Sequence, residues 1–456
     1  ACATLNPKDD VKDGEKYTVD NKGKQVEYTA FTPWHIYDET QFTYWSGQGM
    51  LKPYIEPMLA YGNSMKESGG DSIFFIAGWG NRPSDDHWAG FFPLEKPTID
   101  AAPQLIDGIC DHDYGGSPVK MPASYELITA YGVTKHNKWL YSFNTETAMG
   151  GDPQAYPDAA GAPAGTAFDQ QKFNWLATKV LHALDYVPDK ARSFAWFGLG
   201  GGWFSDKGEG VALTLLKNLR GRLVQVIDTD PEVYAVAAID GTDAQNPRPA
   251  DMPQRKELVV AVINDAKTTK KIELNIKPPA GTKFSQVIER SPAIDGEKGI
   301  VISEKTQQVA GEAFAFAQEL PAKGIVVLTF PLEGEVGAKP EATRRQFFGA
   351  NLLVEVKADK PVAQKIAVSG DALKGAKRAW VRFVAERLAD GEGTVVLNGK
   401  QYKLPAAVTP ENTPYVRQFE VDLADVKEGS ELLFQVSGPE HAGYLLATAS
   451  IIVESE

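Results

Sequence analysis

Two cysteines in 456 residues leave no disulfide framework and no all-cysteine metal site, so packing has to hold the fold together. No stretch approaches the roughly 18 consecutive apolar residues of a bilayer-crossing helix. Positive charge is also short: 47 Lys and Arg face 60 Asp and Glu, a net charge of -13 with no basic run, which argues against nucleic acid as a partner. There is no Gly-x-Ser-x-Gly elbow and no phosphate-binding glycine motif, Gly198 to Gly202 reading only as a flexible strand exit. The six histidines show no metal-ligand spacing, and neither a metal nor an organic cofactor is expected.

What is present is the makeup of an ordinary globular chain, 43% apolar and 23% charged, with length for about three domains. Cys110, inside the apolar run Leu105 to Cys110, reads as a small buried hydrophobe. Cys2 follows a small residue at the extreme N-terminus and resembles the end of a bacterial lipoprotein signal, an ordinary mature terminus being the other option. The expected location is secreted, periplasmic or on the outer surface, with a lipid anchor at Cys2 as one possibility.

Residues 1–24 are polar and aperiodic and read as a leader or irregular segment. Over 25–230, short apolar runs alternate with amphipathic stretches, the pattern of a parallel α/β domain. Its strands are expected at Val26–Phe31, Ser72–Ala77, Ile106–Asp111, Trp139–Phe143 and Ser193–Phe197. One helix is expected from Leu51 to Lys66, with Ile55, Met58, Leu59 and Met65 on one side; another is capped by Asp169, carries Phe173, Leu176, Val180, Leu181 and Leu184, and stops at Pro188. Alternating strands at 231–334 and again at 341–456 predict two antiparallel β-sandwiches, joined by a linker over Leu332 to Pro340. Within the second, Asn398-Gly399 predicts a two-residue hairpin turn.

Parallel α/β folds collect their chemistry at the C-terminal ends of the strands. Those ends hold Asn144 and Glu146; Asp111, His112, Asp113 and Tyr114; and, past the glycines, Trp203. Trp34, Trp45, Trp79 and Trp88 also fall near strand ends, either as sugar-stacking surfaces or as satellite core. Aromatic faces beside a carboxylate suit a glycosidase, in which the carboxylate attacks the anomeric carbon and the rings stack on sugar. Taken alone, Glu146 reads first as a solvated strand-end glutamate and only second as a nucleophile.

The runs Trp139 to Gly150 (WLYSFNTETAMG) and Ile106 to Gly115 (IDGICDHDYG) resemble the nucleophile strand, and the strand before it, of the retaining-glycosidase TIM barrels. With Asn218 to Val224, Val262 to Asn264, Arg344 to Gly349 and Val396 to Gly399 following in order, the chain resembles glycoside hydrolase family 86, the β-agarases and β-porphyranases, over roughly residues 25–456. The resemblance implies a TIM-barrel-like domain, here holding strands that match the family's fourth to eighth, followed by two β-sandwiches. It implies Glu146 as nucleophile, with His112, Tyr114, Asn144, Trp203, Trp79 and Trp34 at the substrate, a β-linked galactan polysaccharide, in an endo-acting retaining mechanism. Two departures follow. The Asn-Glu-Pro acid/base motif is replaced by Glu27 to Trp34, leaving Asp38 and Glu39 as the nearest downstream acids, and Glu39 is carried as acid/base. Strands one to three have no counterpart in residues 1–24, so the barrel is expected to be a portion of a longer product, an open remnant, or completed by a partner chain or self-association. The alternative class is a catalytically degenerate galactan-binding or surface-assembly protein using the same aromatic rim.

Overall fold

The computed structural model describes residues 16–21, 24–29, 51–70, 73–78, 88, 91–115, 117–196, 206–224, 226, 230, 232–240, 256–309, 313–334, 336, 343–405, 413–438 and 442–455. The chain divides into two compact units, one of Ala1–Asp113, Tyr131–Thr147 and Arg192–Ala195, the other of Tyr114–Ala130, Ala148–Ala191 and Trp196–Glu456.

The first unit opens with a hairpin of β1 (Lys16–Asn21) and β2 (Lys24–Thr29). They pair antiparallel, with Tyr17 opposite Tyr28 and Val19 opposite Val26. This corrects two expectations: Lys16–Asn21 is a strand inside the stretch taken as irregular, and the Val26 run pairs locally instead of joining a parallel sheet. The β-branched and aromatic residues of both segments carry a strand propensity that the polar, charged composition of the stretch obscures.

Helix α1 (Leu51–Gly69) precedes β3 (Ile76–Gly78). A π-helical turn at Phe91–Glu95 runs into α2 (Lys96–Ala101), and β4 (Gly108–Tyr114), α3 (Lys120–His136), β5 (Tyr141–Ala148), α4 (Thr166–Tyr186) and β6 (Ala191–Trp196) follow. The four strands form one sheet in chain order, β3 and β4 parallel, with a helical connection between each pair as parallel neighbours require. Close approach of α1 explains Gly62, where a Cβ would sit 2.6 Å from Leu105. Met65, expected on the packed side, is exposed. At the strand starts Asp107 binds Lys66 (2.6 Å), Lys138 (3.1 Å) and the Phe75 N–H (2.9 Å). Burial alone would raise its pKa, but these partners hold it below the usual carboxylate range.

In the second unit, α4 starts after Gly165, and Asp158 accepts the Gly165 and Ala167 N–H groups (2.6 and 2.8 Å). Asp169, expected as the cap, instead lies buried in the first turn. The helix ends at Tyr186, just before Pro188. It packs with α5 (Asp206–Leu216). Next come β7 (Arg222–Val224), β8 (Val233–Asp240), β9 (Glu257–Asn264), β10 (Lys270–Ile276), β11 (Thr282–Phe284), β12 (Gln286–Asp295), β13 (Gly299–Gln308), β14 (Phe314–Leu320) and β15 (Ile325–Gly334). One sheet runs β13-β12-β15-β9-β8-β7, with β11 on β15, and β10 pairs with β14; Ile272, Ile276, Phe316 and Leu320 close the core between them. The sheet thus begins at Arg222, and β15 continues through Gly334 into the stretch expected as linker. Strands β8 and β9 are buried along nearly their whole length because α4 covers the face turned away from that core.

The last layers are β16 (Thr343–Phe348), β17 (Val354–Val356), β18 (Val362–Ile366), β19 (Ala376–Glu386), β20 (Gly393–Leu397), β21 (Lys400–Lys403), β22 (Tyr415–Val421), β23 (Ser430–Val436) and β24 (Tyr444–Ser455). The sheets β16-β24-β19-β22 and β18-β23-β20-β21 enclose Phe383, Phe434, Val381, Leu432 and Ile451. Leu397 pairs with Lys400 across Asn398 and Gly399, whose φ values of 48° and 97° are those of the predicted turn.

Candidate functional site

Strands β4 and β5 carry His112 and Glu146 to their C-terminal ends. The His112 Nδ1 lies 3.5 Å from the Glu146 Oε2, with 10% and 21% of the two side chains exposed. A carboxylate so placed is reachable from solvent yet held beside a ring nitrogen, which sets its orientation when that nitrogen carries the proton. Tyr114 ends β4 and is exposed.

Asn144, also expected at the substrate, sits on β5. It is fully buried, and its Nδ2 donates to the Asp111 Oδ1 (3.3 Å) and to the Glu146 carbonyl (3.2 Å). The Thr145 hydroxyl donates to the Asp111 carbonyl (3.3 Å), so β4 and β5 are tied at the level of the site. Asp111, read from sequence as a rim carboxylate, is buried. Near it stands Glu95, from the π-helical turn, with no exposure and no hydrogen-bond partner for either oxygen. Burial first, and the Asp111 charge second, push the Glu95 carboxyl well above the usual carboxylate range. Sequence reasoning passed over Glu95; the available signal was a lone acid closing the apolar run Phe91-Phe92-Pro93-Leu94.

Trp88 takes the core alternative, fully buried with φ of 69°. Cys110, expected inside, is half-buried on β4. Trp34, Glu39, Trp45, Trp79, Trp203 and Cys2 lie outside the described residues. Among the described residues no group of three or more His, Cys, Asp or Glu could hold a metal ion, and no helix is long and apolar enough to cross a membrane.

No family model matches the chain, and no curated protein sequence does. Solved structures do. A β-porphyranase of glycoside hydrolase family 86 from the human gut bacterium Bacteroides plebeius superposes with a TM-score of 0.65 at 16% identity, over 90% of this chain and 74% of its own. A second family 86 structure, BuGH86 in complex with neoagarooctaose, gives 0.66 at 14% identity, over 93% of this chain and 69% of its own. At that identity the likeness is one of overall fold: those family 86 structures combine a TIM barrel with β-sandwiches, and this chain superposes on most of their length.

Proposed function

We propose that this chain is a retaining, endo-acting glycoside hydrolase of β-linked red-algal galactans, agarose ahead of porphyran. The observation that carries the reading is the Glu146 carboxylate, partly open to solvent at the C-terminal end of β5 with His112 3.5 Å away. The shared fold with a β-porphyranase and with a protein that binds neoagarooctaose supports the substrate class. The net charge of -13 favours a neutral over a sulfated chain.

In this reading Glu146 attacks the anomeric carbon while an acid protonates the departing oxygen, giving a glycosyl-enzyme and a shortened polysaccharide. Water then cleaves that ester with the same acid acting as base, restoring the original anomer; the two carboxyls of such a pair stand about 5 to 5.5 Å apart. Glu39 is the candidate for the second role, and protonation of the leaving group is worth about 10²- to 10⁴-fold in rate. His112 fixes the nucleophile's orientation, Asn144 anchors its main chain, and Tyr114 with Trp34, Trp79 and Trp203 offers surfaces for the sugar rings. A secreted or surface location follows from a polymeric substrate too large to enter a cell.

Incubation with agarose, porphyran and carrageenan, followed by product sizing and by proton NMR of the first-formed anomer, tests this. Activity on agarose with retention, lowered about 10⁴-fold or more in Glu146→Gln, is expected. Equal activity in both proteins removes Glu146 from its role.

A further inference from the structure

The end of β5 is held by more than its own sheet. Buried and half-buried side chains alternate along the strand as far as Asn144, and the alternation breaks where Thr145 and Glu146 are both half-buried. Thr147 and Ala148 are then fully buried, and Met149, the first residue past the strand, is buried too. Here the main chain is tied down again. The Ala148 carbonyl accepts the Gly115 N–H (2.9 Å), and the Met149 N–H donates to the Glu209 Oε1 (2.8 Å). Glu209 belongs to the first turn of α5, 60 residues further along, and is fully buried. Its reach is set by Gly208, which lets α5 lie against α4: a Cβ there would stand 2.0 Å from the Asp169 carbonyl oxygen. Burying a carboxyl is costly unless it finds a donor, and a buried peptide N–H beyond the end of a ladder equally needs an acceptor. Each group supplies what the other lacks.

We propose that Glu209 is a positioning residue for Glu146: by holding the Met149 N–H it fixes the exit of β5, and with it the peptide that carries the nucleophile. It acts through the main chain and not on the reacting atoms. Only the buried Thr147 and Ala148 separate Glu146 from Met149, so a displacement at the strand exit is passed to the nucleophile with little slack. On the other side Asn144 holds the Glu146 carbonyl (3.2 Å) and Thr145 holds the Asp111 carbonyl (3.3 Å), so losing Glu209 frees one end of the segment and leaves the other in place. A reacting group misplaced by about 1 Å costs about 10²-fold in rate, which sets the upper end of the effect. The proposal rests on the reading of Glu146 as nucleophile, but the tether itself can be measured without substrate.

The test compares the full chain with three variants. Glu209→Gln keeps an acceptor oxygen at the same reach, Glu209→Asp draws it back by one methylene, and Glu209→Leu removes it. Hydrogen–deuterium exchange of the peptide spanning 147–151 is read against that of β23, which reports loss of stability throughout the chain. In Glu209→Leu the first is expected to exchange about tenfold faster or more with β23 unchanged, and in Glu209→Gln both should stay within about twofold of wild type. On agarose, kcat per folded molecule should fall about 10- to 100-fold in Glu209→Leu with KM within about threefold, fall less in Glu209→Asp, and return to within about threefold in Glu209→Gln. Should Glu209→Leu fail to fold, Glu209→Asp carries the same comparison. A merely structural carboxyl would lower the folded fraction and leave kcat alone. Wild-type kcat in Glu209→Leu and Glu209→Asp, a loss in Glu209→Gln as large as theirs, or unchanged exchange at 147–151 overturns the positioning role. Undiminished turnover in Glu146→Gln overturns instead the site reading, and leaves the exchange result standing as a statement about the tether.

Discussion

Lys190 offers the sharpest measure of how the second unit is held. It is completely buried, and its Nζ lies 3.3 Å from Glu126, itself completely buried, 3.2 Å from Asp189, and 2.7 Å from the Gln346 Oε1 on β16. Arg382 on β19 reaches the same Glu126 at 3.7 Å, and the Gln346 amide donates to it as well. Two cations thus face two anions, of which Asp189 alone is half-exposed. At 3.3 Å and an effective dielectric of about 20, the Lys190–Glu126 attraction is about 5 kcal/mol, largely spent on taking both ions out of water. Lys190→Met removes the attraction and leaves the desolvation of Glu126 unpaid, a loss of about 3–5 kcal/mol. Lys190→Met/Glu126→Gln leaves one charge of each sign, Arg382 and Asp189, and should recover about half of that loss or more. Urea denaturation of both variants, followed by far-UV circular dichroism, reads the difference. A single variant within about 1 kcal/mol of wild type, or a double variant no better than the single, refutes the idea that Lys190 compensates a buried Glu126.

Three further outcomes are expected. Gly208→Ala should cost about 2 kcal/mol or more in denaturation midpoint, since its Cβ would lie 2.0 Å from the Asp169 carbonyl, whereas Gly210→Ala, with nothing within 4 Å, should stabilise α5 by about 0.5–1 kcal/mol. Gly399→Ala, at φ of 97° with open space around it, should cost about 1–2 kcal/mol from backbone strain alone, read as a thermal shift. His182 is buried between Tyr186 and Tyr234, each ring centre 4.7 Å away, and burial pushes its pKa down to about 3. The unfolded chain takes up a proton below pH 6.5 that the folded chain refuses, so its contribution is intact above pH 6.5 and stability falls by about 1.4 kcal/mol per pH unit from there toward pH 3. Thermal scans of His182→Phe between pH 7 and 4 should show a shallower acid limb.

The α/β-then-sandwich order was legible because periodicity changes where the architecture changes, and the long strands of both sandwiches lie close to the runs that predicted them. Less legible were features decided by tertiary surroundings. The hydrophobic alternation Tyr17-Thr18-Val19 is a strand signal, but the charges around it hide it, and nothing local says that Val26 will pair backwards with Val19 instead of entering a parallel sheet. Strand-end logic placed Glu146 and His112 near one another, because chain direction alone puts both at the C-terminal ends of neighbouring strands, where the structure has them 3.5 Å apart. It did not foresee the burial of Asn144 and Asp111, because whether a polar side chain at a strand end faces solvent or the packed interior depends on what lies behind the strand, which the local sequence does not show.

The same dependence explains why a weak motif carried information. Arg344 to Gly349, part of the resemblance, runs along β16. In the structure Gln346 binds both Lys190 and Glu126, and Phe348 lies 5.9 Å from the Lys190 ammonium. A buried ion pair tolerates few neighbours, since each must supply a donor or acceptor at a fixed place or leave a polar group unsatisfied. The first strand of the last sandwich is thus constrained by charges on segments that precede it by more than 150 residues. Its residues thus bear on how these layers pack, so the motif speaks to the fold, and the proposed galactan activity rests on Glu146 and its neighbours.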